Sequence, residues 1–150
     1  MSYKMFKTDA ALEQSKGIVL DFEDFRVTVL RAGGSNRQFE TSLDAHSKKF
    51  RRAIQTETIS NDKSREILRN TYVDSVITNW EVPDERDAKG KVISWKQGIE
   101  NPETGEIMPF SKSNVMMVLE MLPDLFEAIQ DSAAKQALFR TSIKEIEQGN

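Results

Sequence analysis

Few side chains in this sequence have the type and spacing for chemistry. His46 is the only histidine and there is no cysteine, so disulfides, thiolate metal sites and cysteine nucleophiles are excluded. A metal centre would have to be built from carboxylates, and no carboxylate cluster has the spacing of a calcium loop, a zinc site or a His-carboxylate triad. The pairs Asp21 with Asp24 and Glu85 with Asp87 fall in turn-like stretches, where solvated turn residues are expected rather than a general acid and base. Ala32-Gly33-Gly34-Ser35-Asn36 has the flavour of a phosphate-cradling turn, but it lacks the longer glycine spacing and the following Lys with Ser or Thr. It is read as a strand-to-helix turn. The chain therefore offers no assembled nucleophile, base or metal set, and the expectation is a non-catalytic protein without cofactors.

Two other groups suit binding. Lys48-Lys49-Phe50-Arg51-Arg52 interleaves one aromatic with four cations, as nucleic-acid sites do; yet Phe50 belongs to a helical apolar stripe and the net charge is -3. A solvated helix face is the simpler reading, with Lys48, Arg51 and Arg52 kept as candidates for an acidic protein partner. Four of the six methionines, Met108, Met116, Met117 and Met121, lie between positions 108 and 121. Methionine packs adaptably against varied apolar partners, so Met116, Met117 and Met121, with Phe126 just beyond, are candidate partner-binding residues; core filling is the alternative.

The elements that must carry these groups follow from periodicity. Ser111 suits an N-cap, with Pro109 before it, so a helix starts near Lys112 with Val115, Val118, Leu119 and Leu122 on one stripe. Pro123 followed by Asp124 signals a stop and restart rather than a continuous helix. The restarted helix carries Leu125, Phe126, Ile129, Ala133, Ala137 and Leu138. Upstream, Ile18-Val19-Leu20-Asp21-Phe22 and Phe25 to Arg31 predict two short strands joined by an acidic turn, with Phe25, Val27 and Val29 on one face. Phe39, Leu43, His46, Phe50 and Ile54 predict an amphipathic helix from Asn36 to about Gln55. Ser60 caps a second helix, from about Asn61 to Trp80, which pairs antiparallel with the first and buries Ile67, Leu68, Tyr72, Val76 and Trp80. Pro83 to Lys91 is expected to be a charged loop, Val92 to Trp95 a short strand, and Asn101-Pro102-Glu103-Thr104-Gly105 a turn between Ile99 and Ile107.

The predicted fold class is α+β: a helix-dominated single domain over 17–140 with a small antiparallel β element near the N-terminus. Residues 1–16 are expected to form a flexible arm and 141–150 a frayed tail. At 150 residues, 38% hydrophobic and 30% charged, the chain is long enough for a core of its own and too apolar for general disorder. The pI near 5.3 argues against non-specific phosphate binding, so nucleic acid is not an expected partner. The start lacks a signal-peptide apolar region and no run approaches about 20 apolar residues, so no membrane partner and an intracellular location are expected.

Several strings resemble a known family. The stretch Gly17 to Phe25 with the following Arg26-Val27-Thr28-Val29, Arg31-Ala32-Gly33-Gly34-Ser35-Asn36, Phe50-Arg51-Arg52-Ala53, the end of the helix from Tyr72 to Trp80, Pro109-Phe110-Ser111-Lys112 and Leu122-Pro123-Asp124-Leu125-Phe126 are similar to the tail assembly chaperones of long-tailed, siphovirus-type bacteriophages, over about residues 15–140. The resemblance implies a non-enzymatic protein of the host cytoplasm that binds the tape-measure protein, keeps its apolar helices from aggregating, recruits tail-tube protein and is absent from the mature virion. Self-association is open on this reading, as is a frameshifted longer form. The alternatives are a head-tail or tail component retained in the virion and a small nucleic-acid-binding regulator acting through Lys48 to Arg52.

Overall fold

In a computed structural model describing residues 3–140, a four-stranded antiparallel sheet in the order β1-β2-β3-β4 is covered on one face by helices. Its strands are β1 (Ile18–Asp21), β2 (Arg26–Val29), β3 (Ile77–Arg86) and β4 (Val92–Gln97). A two-stranded ribbon, β5 (Ile99–Glu100) with β6 (Ile107–Met108), follows. The helices are α1 (Arg37–Ser47), α2 (Arg51–Gln55), α3 (Asn61–Ser75), α4 (Lys112–Met121) and α5 (Pro123–Ala134). The class is α+β in a single domain, as the sequence predicts. The expected frayed tail lies outside the described residues.

The alternation in β2 works as expected: Val27 and Val29 are fully buried while Arg26 and Thr28 between them are half-buried on the wetter face. There Arg26 lies over the Trp95 ring, 4.2 Å from its centroid. Behind Val27 and Val29 stand Tyr72 and Val73 of α3, Val115, Val118 and Leu119 of α4, and Phe126, Ile129 and Ala133 of α5. Both predicted serine caps form, Ser60 accepting from the Lys63 amide and Ser111 from the Asn114 amide, each at 3.2 Å. Pro123 opens α5 after Leu122, so the restart is real. α1 packs on α3, and the pairing of Phe39 with Tyr72 at one end and Phe50 with Lys63 at the other makes them antiparallel.

Four expectations are corrected. The second helix stops at Ser75, and β3 begins at Ile77, so Trp80 is buried from a strand rather than a helix. Three β-branched residues in succession, Val76, Ile77 and Thr78, disfavour further helix, and β3 finds partners on both sides, β2 and β4. The expected charged loop from Pro83 is mostly the β3–β4 hairpin, closed by Asp87, whose Oδ1 accepts from the Lys89 and Lys91 amides at 2.9 Å. The helix from Asn36 to Gln55 is interrupted by a 3-10 segment, Lys48–Phe50. The last helix ends at Ala134; a 3-10 turn, Gln136–Phe139, then buries Phe139 and leaves Leu138 42% exposed.

The expected N-terminal arm is anchored on the domain from Thr8 onward. Glu13, in a π-helical turn over Leu12–Lys16, is 1% exposed and forms an ion pair with Arg31 just beyond β2. Thr8 Oγ1 donates to the same carboxylate at 2.8 Å, and the Asp9 amide donates to the Phe139 carbonyl at 2.7 Å. Burial alone pushes the Glu13 carboxyl up, but hydrogen bonds from Arg31, Thr8 and Ser35 and the Arg31 charge hold it below the usual range. Gly17 makes this approach possible: its φ is +73°, and a Cβ there would meet the Val29 carbonyl oxygen at 2.7 Å.

Candidate functional site

The corner where α4 meets α5 gathers most of the candidate apolar residues. Helical spacing puts Val115 and Leu119 on the buried side of α4, 1% exposed each, and Met117 and Met121 roughly opposite. Met117 and Met121 are half-buried there, whereas Met116 packs against the core. Leu122, expected on the buried stripe, is 39% exposed because the helix ends at it.

Beside Leu122 is a small apolar cleft of about 90 Å³, lined by Phe25, Trp80, Val118, Leu122 and Leu125, with Glu100 and Pro102 at its rim. One wall is an aromatic stack: Phe22 on Phe25 with centroids 4.9 Å apart, and Phe25 on Trp80 at 5.7 Å. Sites for small molecules typically enclose about 300–1,000 Å³, so this cleft suits a single apolar side chain rather than a metabolite.

Phe126 does not belong to that surface. It is 4% exposed and meets the Tyr72 ring edge-on at 5.3 Å, so its role as a partner-binding residue is corrected to core. Burial, with Asp131 adding to it, pushes the Tyr72 hydroxyl up to about 12, consistent with a phenol inside this cluster.

Lys48, Lys49, Arg51 and Arg52 are all exposed. Phe50 among them is half-buried, with Lys49 Nζ and Lys63 Nζ 5.8 and 5.6 Å from its ring centroid. That ring is already occupied by cations of its own chain. Among the described residues no hydrogen bond or ion pair joins the basic run to the methionines, and the two sit on different elements.

His46 lies between α1 and α3, its Nε2 2.5 Å from Asp74 Oδ2. Lys112 Nζ donates to Asp74 Oδ1 at 3.1 Å and Ser42 Oγ to Oδ2 at 3.4 Å. Burial raises the Asp74 carboxyl, but His46 and Lys112 outweigh it and hold the group below its ordinary value. Ser, His and Asp meet here, yet serine and histidine both converge on the aspartate, so no hydrogen bond links nucleophile to base. The arrangement instead clamps α1, α3 and the start of α4. Among the described residues no group of three or more His, Cys, Asp or Glu side chains is placed to hold a metal ion, and no helix is long and apolar enough to cross a membrane.

Residues 34–150 match the family model described as YdaY prophage protein. The chain belongs to that family. It is a phage-derived protein, which agrees with the broader part of the sequence resemblance. No curated protein and no solved structure matches the chain. Within this YdaY-family chain the match begins in the turn after β2 and takes in every helix from α1 onward, including the α4–α5 corner. Phe22 and Phe25 lie before it.

The cleft residues Phe25, Trp80, Leu122 and Leu125 are not grouped by the sequence. Phe25 and Trp80 are brought together by the pairing of Val27 with Trp80 across β2 and β3, and β3 is the strand that helical spacing conceals. Leu122 before Pro123 did carry a signal: an apolar residue at a helix break sits where the chain turns outward.

Proposed function

We propose that this prophage protein is a tail assembly chaperone, a non-catalytic protein of the host cytoplasm that holds apolar helical segments of a tape-measure protein and helps recruit tail-tube protein. Three things support the reading. The sequence resembles that chaperone group, the family is a prophage family, and the α4–α5 corner offers the right kind of surface. The observation that carries most weight is the cleft between Leu122 and Trp80, sized for one aliphatic side chain and lined in part by Val118 of α4, the helix that also carries Met117 and Met121. An amphipathic helix is recognised in this way, by apolar anchors at i, i+3 or i+4 entering an apolar groove. The half-buried methionines on the same helix would let this surface accept anchors of different shape, which a client with many non-identical helices requires.

The test is co-expression with the tape-measure protein of the same prophage, followed by pull-down and by measurement of how much tape measure stays soluble. Association and solubilisation are expected with the natural sequence, and both should be lost when Met117 and Met121 are replaced by Glu while far-ultraviolet dichroism is unchanged. No association, with the chain folded and the tape measure equally insoluble, would overturn the proposal. Mass spectrometry of induced virions distinguishes the alternative: a chaperone is missing from the particle, whereas a head-tail or tail component is retained.

A further inference from the structure

The segment just ahead of the buried Glu13 exposes three large apolar side chains within four positions: Tyr3 at 70%, Met5 at 57% and Phe6 at 63%. It forms a 3-10 turn, Lys4–Phe6, closed by the Phe6 amide on the Tyr3 carbonyl at 3.0 Å and the Lys7 amide on the Lys4 carbonyl at 3.2 Å. With three residues per turn, Tyr3 and Phe6 share one edge and Lys4 and Lys7 the next, the two cations about 6 Å apart along the axis. The arm is thus a short apolar and basic ridge, tied to its own domain only from Thr8 and Asp9 onward.

A second groove, whose lining is separate from that of the Leu122 cleft, lies between α3 and α5. It encloses about 550 Å³ over Leu68, Leu119 and Phe126. Asp124 and Glu127, both exposed and three apart on α5, form one wall, and side chains at that spacing on an α-helix stand about 5–6 Å apart. The opposite wall holds Arg65, which pairs with Asp62 at 3.7 Å, and Arg69, whose Nε is shielded from solvent with no acceptor among the described residues. Among the described residues, Lys4, Lys7, Asp124 and Glu127 make no ion pair.

We propose that the arm Tyr3–Lys7 of one copy docks in the α3–α5 groove of a second copy, and reciprocally, so that the protein is an arm-exchanged dimer. Lys4 and Lys7 meet Asp124 and Glu127 at the same spacing, and Met5 and Phe6 cover the floor. The ring or hydroxyl of Tyr3 supplies Arg69 with a partner. A reciprocal exchange is closed and two-fold, so it ends at a dimer. In its own chain the arm leaves the three apolar side chains in solvent, which a second copy removes. The inference is independent of the function proposed above, because the groove shares no lining residue with the Leu122 cleft and involves neither Met117 nor Met121.

The experiment is sedimentation equilibrium of the full chain over about three decades of concentration. A monomer-dimer equilibrium is expected. Lys4→Glu with Lys7→Glu should weaken it by about tenfold or more, as should Asp124→Lys with Glu127→Lys. Combining Lys4→Glu and Lys7→Glu with Asp124→Lys and Glu127→Lys restores both pairings of opposite charges and should bring the dissociation constant back to within about threefold of the natural one. All of these residues are exposed, so far-ultraviolet dichroism should not change. A chain that stays monomeric throughout, a dimer indifferent to these substitutions, or a combined variant no tighter than its parents would each overturn the proposal. Docking of the arm in its own groove would appear as a monomer and is covered by the first of these outcomes.

Discussion

Replacing Glu13 tests whether the N-terminal segment is part of the domain. Glu13→Ala leaves the Arg31 guanidinium without its carboxylate and Thr8 Oγ1 without its acceptor, inside a site where Glu13 itself is 1% exposed. Breaking a buried pair costs about 3–5 kcal/mol; the low end, about 3, applies because the Arg31 side chain keeps 20% exposure and water replaces part of what is lost. Glu13→Gln retains the shape and an acceptor oxygen but not the charge, and should cost about 1.5 kcal/mol. With a urea dependence of about 2 kcal/mol per molar, the unfolding midpoints should fall by about 1.5 M for Ala and about 0.75 M for Gln.

The pH dependence follows from the direction of the shift. Glu13 titrates lower in the folded chain than in the unfolded one, where its value is near 4.5, so its stabilising contribution is complete above that range. It is lost as pH falls through the lowered folded value. The gap between the natural chain and Glu13→Gln should therefore be widest near neutrality and shrink on acidification. Urea unfolding at pH 7 and at about pH 3.5 measures this directly. An Ala midpoint within about 0.3 M of the natural one, or a Gln gap of equal size at both pH values, would refute the reasoning.

Two further outcomes are expected. Phe126→Ala should destabilise by about 3–5 kcal/mol by emptying the space against Tyr72, while Met117→Glu with Met121→Glu should leave the thermal midpoint within a few degrees; differential scanning calorimetry separates them. Asp74→Ala removes the shared acceptor of His46, Lys112 and Ser42. Because Asp74 is held below its ordinary value, it should lower the thermal midpoint at pH 7 and lower it less once pH falls through the carboxylate range.

The elements legible in the sequence were those defined by local chemistry. Ser60, Ser111 and Pro123 mark helix starts through bonds or constraints within a few residues, and Val27 with Val29 show their face through alternation alone. β3 was not legible, for a specific reason. Tyr72, Val76 and Trp80 are four apart, which is a helical face, and no Gly or Pro marks the handover at Ser75. Pro83 argues further against a strand, since it cannot donate to a ladder. It is tolerated because the β2–β3 ladder ends at Arg26 with Glu81, leaving that side of β3 without a neighbour. Glu13 was missed because its partner Arg31 is 18 positions away and nothing local tells a buried carboxylate from a solvated one. The Leu122 cleft needed three distant segments, and one of them was the concealed strand.

The binding surface proposed above sits on a helix, α4, rather than on a loop. The helix is fixed at its start by Lys112 on Asp74, which His46 also holds. Along its length Val115, Val118 and Leu119 are no more than 2% exposed, and at its end Pro123 begins α5, whose Phe126 and Ile129 are buried in the same core. The backbone under Met117 and Met121 is therefore fixed at several points, and moving it would expose much of the core. Adaptation to different partners has to come from the side chains, and methionine, unbranched and with three rotatable bonds, is the apolar residue best able to supply it. On the proposed function, a rigid helix with compliant side chains, next to a rigid aromatic cleft that takes one anchor, would bind many related apolar helices without rearranging its own fold. Replacing Met117 and Met121 with Leu would keep apolar area but remove compliance, and should narrow the range of client segments held soluble rather than abolish binding.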